Sequence, residues 1–333
     1  MTLPVQNRLN LHDVTIIIPT VSLDELTEKC AYLCKEYAPT AEIIIVADNA
    51  PPADHRLQLL TIVKPNLTIA AKRNLAAQLS TRAILAFIDS DAYPDRLWLE
   101  NALEVFNTYP NYVAAAGPNI APPHEPLGQE LVGLVEKSNF VTINAHFIKK
   151  PSRHREVDVM PFCNFLIRKE AFIRIGMMNE ALSGGEDFEL CSRLKKENWP
   201  IRYEGNIVVF HKSRNLKSFL KKRLSYGGFA YDNIIKSFSI PILITIVPAF
   251  FVLFLGSFSV AFVSDIYAYF YISISLLFLC ICAIEAIRLS TKISRFLPLL
   301  LLLIIGMTAP GIGTLARVFR LLPAYKSLYR NYE

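Results

Sequence analysis

Three short apolar segments near the N-terminus constrain the fold of this chain more than any other feature. Residues 14–20, 42–48 and 83–89 are rich in β-branched and other aliphatic side chains. Stretches with helical spacing follow the first two segments, at residues 23–37 and about 69–79. Continuous apolar runs of this length are typical of parallel strands that are buried on both faces. Their alternation with helices predicts an α/β fold, in which a mixed, mainly parallel sheet is flanked by helices.

Carboxylates stand where two of these strands end. Asp48 closes the second segment, and Asp89-Ser90-Asp91 closes the third. Ligands of such sheets bind beyond the carboxyl ends of the strands. Two carboxylates at positions i and i+2 can both reach one divalent cation, and oxygen ligands suit Mg²⁺ or Mn²⁺, which can bridge a diphosphate. An Asp-x-Asp pattern (a DxD motif) is common in surface turns and is weak evidence alone. Its position after a buried strand is what favours a metal-binding function here.

A second acidic group follows the pair Gly184-Gly185. The glycines permit a tight turn. Glu186 and Asp187 then fall in the first turn of a predicted helix, where the helix dipole favours negative charge. The residues alone leave open whether these two acids act in chemistry or only stabilise the helix.

The last third of the chain is far more apolar than the rest, and it raises the apolar share of the whole sequence to 52%. Three apolar segments, at about 239–263, 266–288 and 297–316, are each near the roughly 20 residues that a membrane-spanning helix needs. The sequence predicts two or three hydrophobic helices there. Pro310, Gly311 and basic residues on both flanks leave open whether the third segment spans the membrane or re-enters it.

A basic, partly apolar stretch precedes the membrane region. Residues 215–238 mix lysines and arginines with leucine and phenylalanine, which is typical of a helix that lies on a membrane surface, although an ordinary solvated helix is the alternative. The predicted organisation is therefore a domain at 1–214, an interfacial helix at 215–238 and a membrane region at 239–333.

The distribution of charge predicts which side of the membrane holds the first domain. The link between the first two apolar segments has no Lys or Arg, whereas the next link contains Arg288, Lys292 and Arg295. Positively charged links remain in the cytosol. No signal-peptide core is found near the N-terminus, so we expect a cytosolic front domain on an integral membrane protein.

Charge and cysteine usage exclude several other classes of protein. The net charge is +6, but no long basic run suggests a nucleic-acid partner. The six cysteines show neither CxxC nor zinc-finger spacing, which favours a reducing compartment.

An ordered set of short motifs runs through the first 215 residues. The set comprises residues 14–20, Asp48, Lys72-Arg73-Asn74, Asp89-Ser90-Asp91, Cys163-Asn164-Phe165, Gly185-Glu186-Asp187 and His211. Over about residues 12–215, this order and spacing resemble the family 2 glycosyltransferases, which have the GT-A fold.

The resemblance implies inverting transfer of a sugar from a nucleotide-diphosphate donor. It implies Asp187 as the general base, assisted by Glu186, and a Mg²⁺ or Mn²⁺ ion on Asp89, Asp91 and His211. The implied donor contacts are Pro19, Thr20, Asp48, Lys72, Arg73, Asp89 and Ser90. The implied acceptor or phosphate contacts are Asn164, Lys212 and Arg214. For Asn164 a buried amide bonded to backbone is equally open, and for His211 a surface histidine is the alternative.

The chain lacks the Gln-x-x-Arg-Trp element of the processive synthases of this family, so we expect transfer of single sugars. The predicted interfacial helix favours a lipid-linked or glycan acceptor at the cytosolic face of a membrane. Membrane lipids are therefore also expected as partners of the protein. A bacterial-type inner membrane and envelope polysaccharide or glycolipid synthesis fit this arrangement. The alternatives are a polyprenyl-phosphate sugar synthase and a catalytically silent membrane scaffold that binds nucleotide sugars.

Overall fold

A computed structural model of the chain describes six stretches of sequence. They are residues 8–50, 60–142, 154–182, 185–236, 246–290 and 292–319. The chain forms two compact units, and each is discontinuous in sequence. The first consists of Met1–Pro123 and His146–Lys212, and the second of His124–Ala145 and Ser213–Glu333.

The strands belong to the first unit. They are β1 (Val14–Pro19), β2 (Glu42–Ala47), β3 (Leu60–Val63), β4 (Ile84–Ile88), β5 (Ala92–Pro94), β6 (Ala114–Ala116), β7 (Asn119–Ile120), β8 (Arg155–Val157), β9 (Asn164–Arg168), β10 (Ile201–Tyr203) and β11 (Val209–His211). The main sheet has the order β3-β2-β1-β4-β9-β6-β10-β8, and a smaller sheet has the order β5-β11-β7. Pairing is parallel from β3 to β4 and between β6 and β10, whereas β9 runs antiparallel to both of its neighbours. The mixed, mainly parallel sheet of the sequence prediction is therefore confirmed.

Ten helices are described, together with three short 3₁₀ segments. The helices are α1 (Glu25–Tyr37), α2 (Ile69–Leu79), α3 (Trp98–Thr108), α4 (Leu127–Glu136), α5 (Lys169–Arg174), α6 (Glu186–Lys196), α7 (Leu216–Lys236), α8 (Val247–Gly256), α9 (Asp265–Leu289) and α10 (Phe296–Val318). Side chains cap the first two: the Asp24 carboxylate accepts from the Thr27 N–H, and Thr68 Oγ1 accepts from the Ala71 N–H. The second unit contains α4 and α7 to α10.

Apolar side chains cover both faces of the main sheet. Every residue of β1 is buried. Ile16 and Ile18 pack on one face in the same cluster as residues of α1 and α3, and Ile17 packs on the other face with residues of α2, α5 and α6. Side chains alternate between the faces of a strand, so a strand that is buried on both faces needs apolar side chains at most positions. This requirement explains why the three segments were recognisable in the sequence. The buried polar residue of β1, Thr15, is satisfied by a hydrogen bond with Ser80 Oγ at 2.7 Å.

One prediction about local structure is wrong. Residues 118–160 are rich in proline, histidine and charged side chains with little periodicity, which predicts loops, but α4 lies within this segment and buries Leu131, Val132 and Val135. The proline and histidine residues that flank the helix obscured its short apolar period. Residues 143–153 of the segment lie outside the described residues.

Two helices of the second unit are long and apolar enough to cross a membrane by length and composition. They span Asp265–Leu289 and Ile293–Val318, and a shorter apolar helical stretch spans Val247–Phe262. Residues 239–245, which begin the first predicted apolar segment, lie outside the described residues. The third predicted segment is one continuous helix with Pro310 inside it, so it contains no turn of the kind that a re-entrant segment needs.

Pro310 determines an unusual contact inside the second unit. Proline has no N–H, so the carbonyl four residues earlier, that of Gly306, loses its partner within the helix. Arg223 of α7 replaces it: Nε and Nη2 donate to Gly306 O at 2.9 and 2.6 Å. The proline in α10 and the arginine in α7 are therefore parts of one hydrogen-bonding arrangement.

Glycines allow the backbones of α7 and α10 to touch. A Cβ on Gly227 would lie 1.8 Å from the Pro310 carbonyl oxygen, and one on Gly313 would lie 2.0 Å from the Leu224 carbonyl oxygen. Thr314 Oγ1 also donates to Gly227 O at 3.1 Å. Small residues permit this close approach between apolar helices.

Candidate active site

Lys72 contacts the residues that follow two neighbouring parallel strands, β1 and β2. Its side chain is fully buried, and Nζ donates to Thr20 O at 2.6 Å and lies 3.1 Å from Asp48 Oδ1. A buried ammonium needs such partners, because an unpaired charge is very unfavourable away from water. Lys72 was predicted as a direct donor contact. Its side chain is completely buried, whereas the side chain of its partner Asp48 is 23% exposed.

Arg73 gathers three carboxylates from distant parts of the sequence. Its guanidinium donates to Asp89 Oδ1 at 2.8 Å, to Asp187 Oδ1 at 3.0 Å and to Glu186 Oε1 at 3.4 Å. Asp89 follows β4, whereas Glu186 and Asp187 open α6. Burial lowers the pKa of Arg73, but these three carboxylates raise it above its ordinary value, so the guanidinium stays charged. Two acidic motifs that are about 100 residues apart thereby form one group.

Asp187 has an environment suited to proton transfer near neutral pH. Burial raises its pKa to about 7; Arg73 opposes this rise and Glu186 adds to it. The Phe162 N–H donates to Asp187 Oδ2 at 3.0 Å and also opposes the rise. A carboxyl group with a pKa near the working pH is well matched to general base catalysis.

The glycine before α6 makes the entry to this helix possible. Gly185 is the N-cap and has φ of 79°, a left-handed conformation that other residues adopt only with strain. The preceding Gly184 lies outside the described residues.

A second group of possible ligands surrounds the end of β4. The pairing of β5 with β11 places His211 opposite Ala92, and His211 Nε2 lies 3.2 Å from Asp91 Oδ1. A carboxylate oxygen of Asp89, a ring nitrogen of His211 and Cys163 Sγ all lie within 4.8 Å of one another, and we call these three residues the β4 group. One region of the structure therefore contains the three predicted metal ligands, Asp89, Asp91 and His211. Carboxylate and imidazole donors there fit a divalent cation.

Cys163 belongs to one of the motifs found in the sequence, but it was not predicted as a ligand. Cys163 immediately precedes β9, and β9 is antiparallel to β4 with Asn164 opposite Ile88. This register places Cys163 beside Asp89. The register of strands about 75 residues apart was the only signal that could have found it, and the sequence alone does not supply that register.

Asn164 was predicted to contact the acceptor or a phosphate, with a buried amide bonded to backbone as the equal alternative. Its side chain is fully buried. Trp98 Nε1 donates to Oδ1 at 2.8 Å, and Nδ2 donates to Ile207 O at 2.8 Å and to Pro118 O at 3.3 Å. These bonds connect α3 to two loops of the first unit, as in the alternative of a buried amide bonded to backbone.

The remaining predicted residues differ in exposure. Pro19 and Thr20 are buried at the end of β1, Ser90 is partly exposed and Lys212 is exposed. Arg214 belongs to the second unit, where it pairs with Glu136 at 3.2 Å.

Comparison with known proteins gives a match over much of the first unit. Residues 15–176 match the profile of the family described as Glycosyl transferase family 2. The matched segment contains Asp48, Arg73, Asp89 and Asp91, and it ends before Asp187. The predicted GT-A-type, nucleotide-binding α/β fold agrees with this match.

Individual relatives give a similar result. The chain is 31% identical over 171 residues to the "Pre-mycofactocin glycosyltransferase" of Mycobacterium tuberculosis, an alignment that covers 48% of this chain and 34% of that protein. It is 23% identical over 241 residues to "Glycosyltransferase AglE" of Haloferax volcanii, which covers 64% of this chain and 71% of that protein. This chain thus spans about a third of the length of its mycobacterial relatives.

Among solved structures, the chain is similar to GalNAc-T7 with UDP, GalNAc and Mn²⁺. The identity is 12% and the TM-score is 0.46, over 61% of this chain and 44% of that one.

Proposed function

We propose that the chain, whose residues 15–176 match the family described as Glycosyl transferase family 2, is an inverting enzyme. It would move single sugars from a nucleotide-diphosphate donor to an acceptor at a membrane. The observation that carries this proposal is the group around Arg73. It places Asp187, with a pKa of about 7, on the same guanidinium as Asp89, which is a residue of the predicted donor site.

In the proposed reaction Asp187 removes the proton from an acceptor hydroxyl group. The acceptor oxygen then attacks the anomeric carbon on the face opposite the nucleotide diphosphate, and the configuration inverts as the diphosphate leaves. A positioned base of this kind accelerates a reaction by about 10² to 10⁴-fold. Glu186 shares Arg73 with Asp187, and it raises the pKa of Asp187 toward the value that a base needs.

The donor is proposed to bind beyond the ends of β1, β2 and β4, with Asp48 on the base or ribose and Ser90 nearby. When bound to Asp89, Asp91 and His211, Mg²⁺ or Mn²⁺ supplies positive charge that offsets the charge of the departing diphosphate. Lys72 and Arg73 are both buried. In this proposal they act indirectly, because they hold the carboxylates of the donor site in place.

The acceptor is proposed to be lipid-linked and to meet the enzyme at the cytosolic face of a bacterial-type inner membrane. Two observations support this part. The second unit has two helices of spanning length, and only 17% of the most apolar stretch of Asp265–Leu289 is buried, as expected for a helix in contact with lipid. α7 carries Lys217, Lys221 and Lys222, which suit anionic headgroups.

The test of the proposal is a transferase assay with the full-length chain in detergent. Labelled nucleotide sugars with different bases are supplied with Mn²⁺ and with a lipid extract or an aqueous extract of membranes. We expect transfer from one donor to the lipid extract. Asp187→Asn should lower the rate by about 10² to 10⁴-fold. The matched control is Glu189→Gln, on the same helix, whose carboxylate pairs with Arg193 instead of Arg73.

Other results would select among the alternatives. If Asp187→Asn retains much of the rate and the product is a sugar phosphate on a polyprenyl chain, the enzyme is a polyprenyl-phosphate sugar synthase, since an ionised phosphate needs no base. If nucleotides with Mn²⁺ raise the melting temperature but no donor is turned over, the silent scaffold is correct. Equal transfer to soluble acceptors would refute the lipid-linked acceptor.

A further inference from the structure

Cys163 is the member of the β4 group that the proposed reaction does not use. It is 5% exposed, and its Sγ lies within 4.8 Å of ligand atoms of Asp89 and His211. The three residues come from three different strand ends, so the main-chain framework of both sheets fixes their proximity. The three side chains offer a thiol, a carboxylate and an imidazole, and this set of ligands differs chemically from an all-oxygen site.

We propose that Asp89, Cys163 and His211 form a binding site for thiophilic divalent cations, such as Zn²⁺ and Cd²⁺, which hold the Cys163 thiolate as a ligand that Mg²⁺ does not use. This binding mode is distinct from the proposed donor-binding role of the region. On binding, the S–H bond of Cys163 is exchanged for a sulfur–metal bond and the proton passes to solvent, with no change of oxidation state. Thiolates select soft ions, whereas carboxylates and water suit Mg²⁺.

The surroundings of the ligands favour such a site. Asp89 Oδ1 accepts a hydrogen bond from Arg73, which keeps the carboxylate near the sulfur atom. Histidines that bind a metal through one ring nitrogen commonly donate from the other nitrogen to a carboxylate. Asp91 Oδ1, 3.2 Å from His211 Nε2, is placed for that orienting role.

The dimensions also fit after small side-chain movements. Zinc lies about 2.3 Å from sulfur and about 2.0–2.1 Å from nitrogen, so ligand atoms around one ion are closer together than 4.8 Å. Asp89 and His211 are only partly buried, which leaves them room to turn toward the fixed sulfur.

The consequence for the enzyme is a selective sensitivity to soft ions. Zn²⁺ or Cd²⁺ at this position would occupy Asp89 and His211, which the proposed reaction assigns to Mg²⁺ or Mn²⁺. Replacement of Cys163 should therefore remove tight binding of the soft ions while the oxygen and nitrogen ligands of the hard ions remain.

The experiment is a titration of metal-free, full-length protein in detergent with Cd²⁺, without nucleotide or acceptor. The readout is the ultraviolet charge-transfer absorbance of a cadmium–thiolate bond. We expect a band that saturates at one equivalent. Cys163→Ser should lose the band and bind Cd²⁺ at least about tenfold more weakly, and His211→Ala should keep a band but weaken binding by a similar factor.

The matched control is Cys191→Ser. Cys191 is also buried in the first unit, and its Sγ donates to Met160 O at 3.7 Å. Its loss should leave the band unchanged. If Cys163→Ser does not fold, Cys163→Ala keeps an apolar side chain at this buried position.

Three results would overturn the proposal: no band in the wild-type protein, the same band in the Cys163 variants, or unchanged affinity in His211→Ala. Because no sugar is transferred in the titration, an inactive enzyme can still show the band, and an active enzyme can fail to show it. The outcome is thus independent of the proposed glycosyltransferase activity.

Discussion

Each unit of the molecule contains an arginine that joins distant segments, and the two arginines have opposite surroundings. Arg73 in the first unit donates to three carboxylates, and their charges keep its pKa above the ordinary value. Arg223 in the second unit donates to the neutral carbonyl of Gly306, and burial lowers its pKa. The first arrangement organises groups that titrate and can do chemistry, whereas the second satisfies one backbone group inside a helical bundle.

Replacement of Arg73 should have the largest effect on stability. Arg73→Met leaves three carboxylates close together without their cation, and removal of one partner from a buried ion pair typically destabilises by about 3–5 kcal/mol. Chemical denaturation in detergent would measure the change in the free energy of unfolding. The matched control is Arg8→Met, whose exposed pair with Glu104 should contribute less than about 1 kcal/mol. An equal loss in both variants would contradict the importance of the buried group.

Replacement of Arg223 should have a smaller effect. Arg223→Met leaves one buried carbonyl without a donor, which typically destabilises by about 1–3 kcal/mol. The same denaturation experiment applies, with Lys222→Met on the neighbouring position of α7 as the control and an expected change of about 0.5 kcal/mol or less. If Arg223→Met proves more destabilising than Arg73→Met, the contrast between the two arginines is reversed.

A second substitution should weaken the effect of Arg223→Met. Pro310→Ala restores an N–H that can bond to Gly306 O within α10, so Arg223→Met should destabilise less in that background than in the wild type. A double-mutant cycle would measure the interaction, and we expect about 0.5–1 kcal/mol of coupling. Strict additivity would show that the proline and the arginine act separately.

A further expected effect, of a different kind, is a pH dependence that belongs to the first unit alone. Asp187 must be deprotonated to act as a base, so kcat/KM should rise with pH through about 7. Stability should follow the opposite trend. The folded state holds the Asp187 proton up to about pH 7, whereas an unfolded aspartate loses it near pH 3.9, so the contribution of this group falls between about pH 4 and 7.

Asp187→Asn provides the control for both trends. Asparagine does not titrate, so the fall in stability over this pH range should become shallower, and the residual activity should lose its dependence on a group with a pKa near 7. Arg223→Met, in contrast, should leave the activity profile in place, because the carbonyl of Gly306 does not titrate.

The parts of the fold that could be predicted from sequence are those where local composition and burial coincide. β1, β2 and β4 are buried on both faces, so nearly all of their residues had to be apolar, and the carboxylates that follow β2 and β4 were visible as breaks in an apolar run. The first turn of α6 was recognisable for a similar reason, since glycine and two acids mark a helix start.

The rest depends on pairings between distant segments. The connection from Asp89 to Asp187 runs through Arg73, and no property of the sequence shows that one guanidinium reaches both. Cys163 and Asn164 are adjacent in sequence, yet one lies in the β4 group and the other is bonded inside the core. Which of the two points toward the site follows from the pairing of β9 with β4, and that pairing is fixed only in the folded chain.

The position of α4 has a practical consequence for the preparation of a soluble fragment. Leu131, Val132 and Val135 belong to the same apolar cluster as Phe219 and Leu299, although they precede these partners by more than 80 residues in the chain. A protein shortened after residue 212 would retain α4 but lose the helices that cover it, and the uncovered leucine and valine side chains would promote aggregation. A useful fragment of the first unit therefore requires an internal deletion as well as a C-terminal one, with a short polar linker in place of residues 124–145.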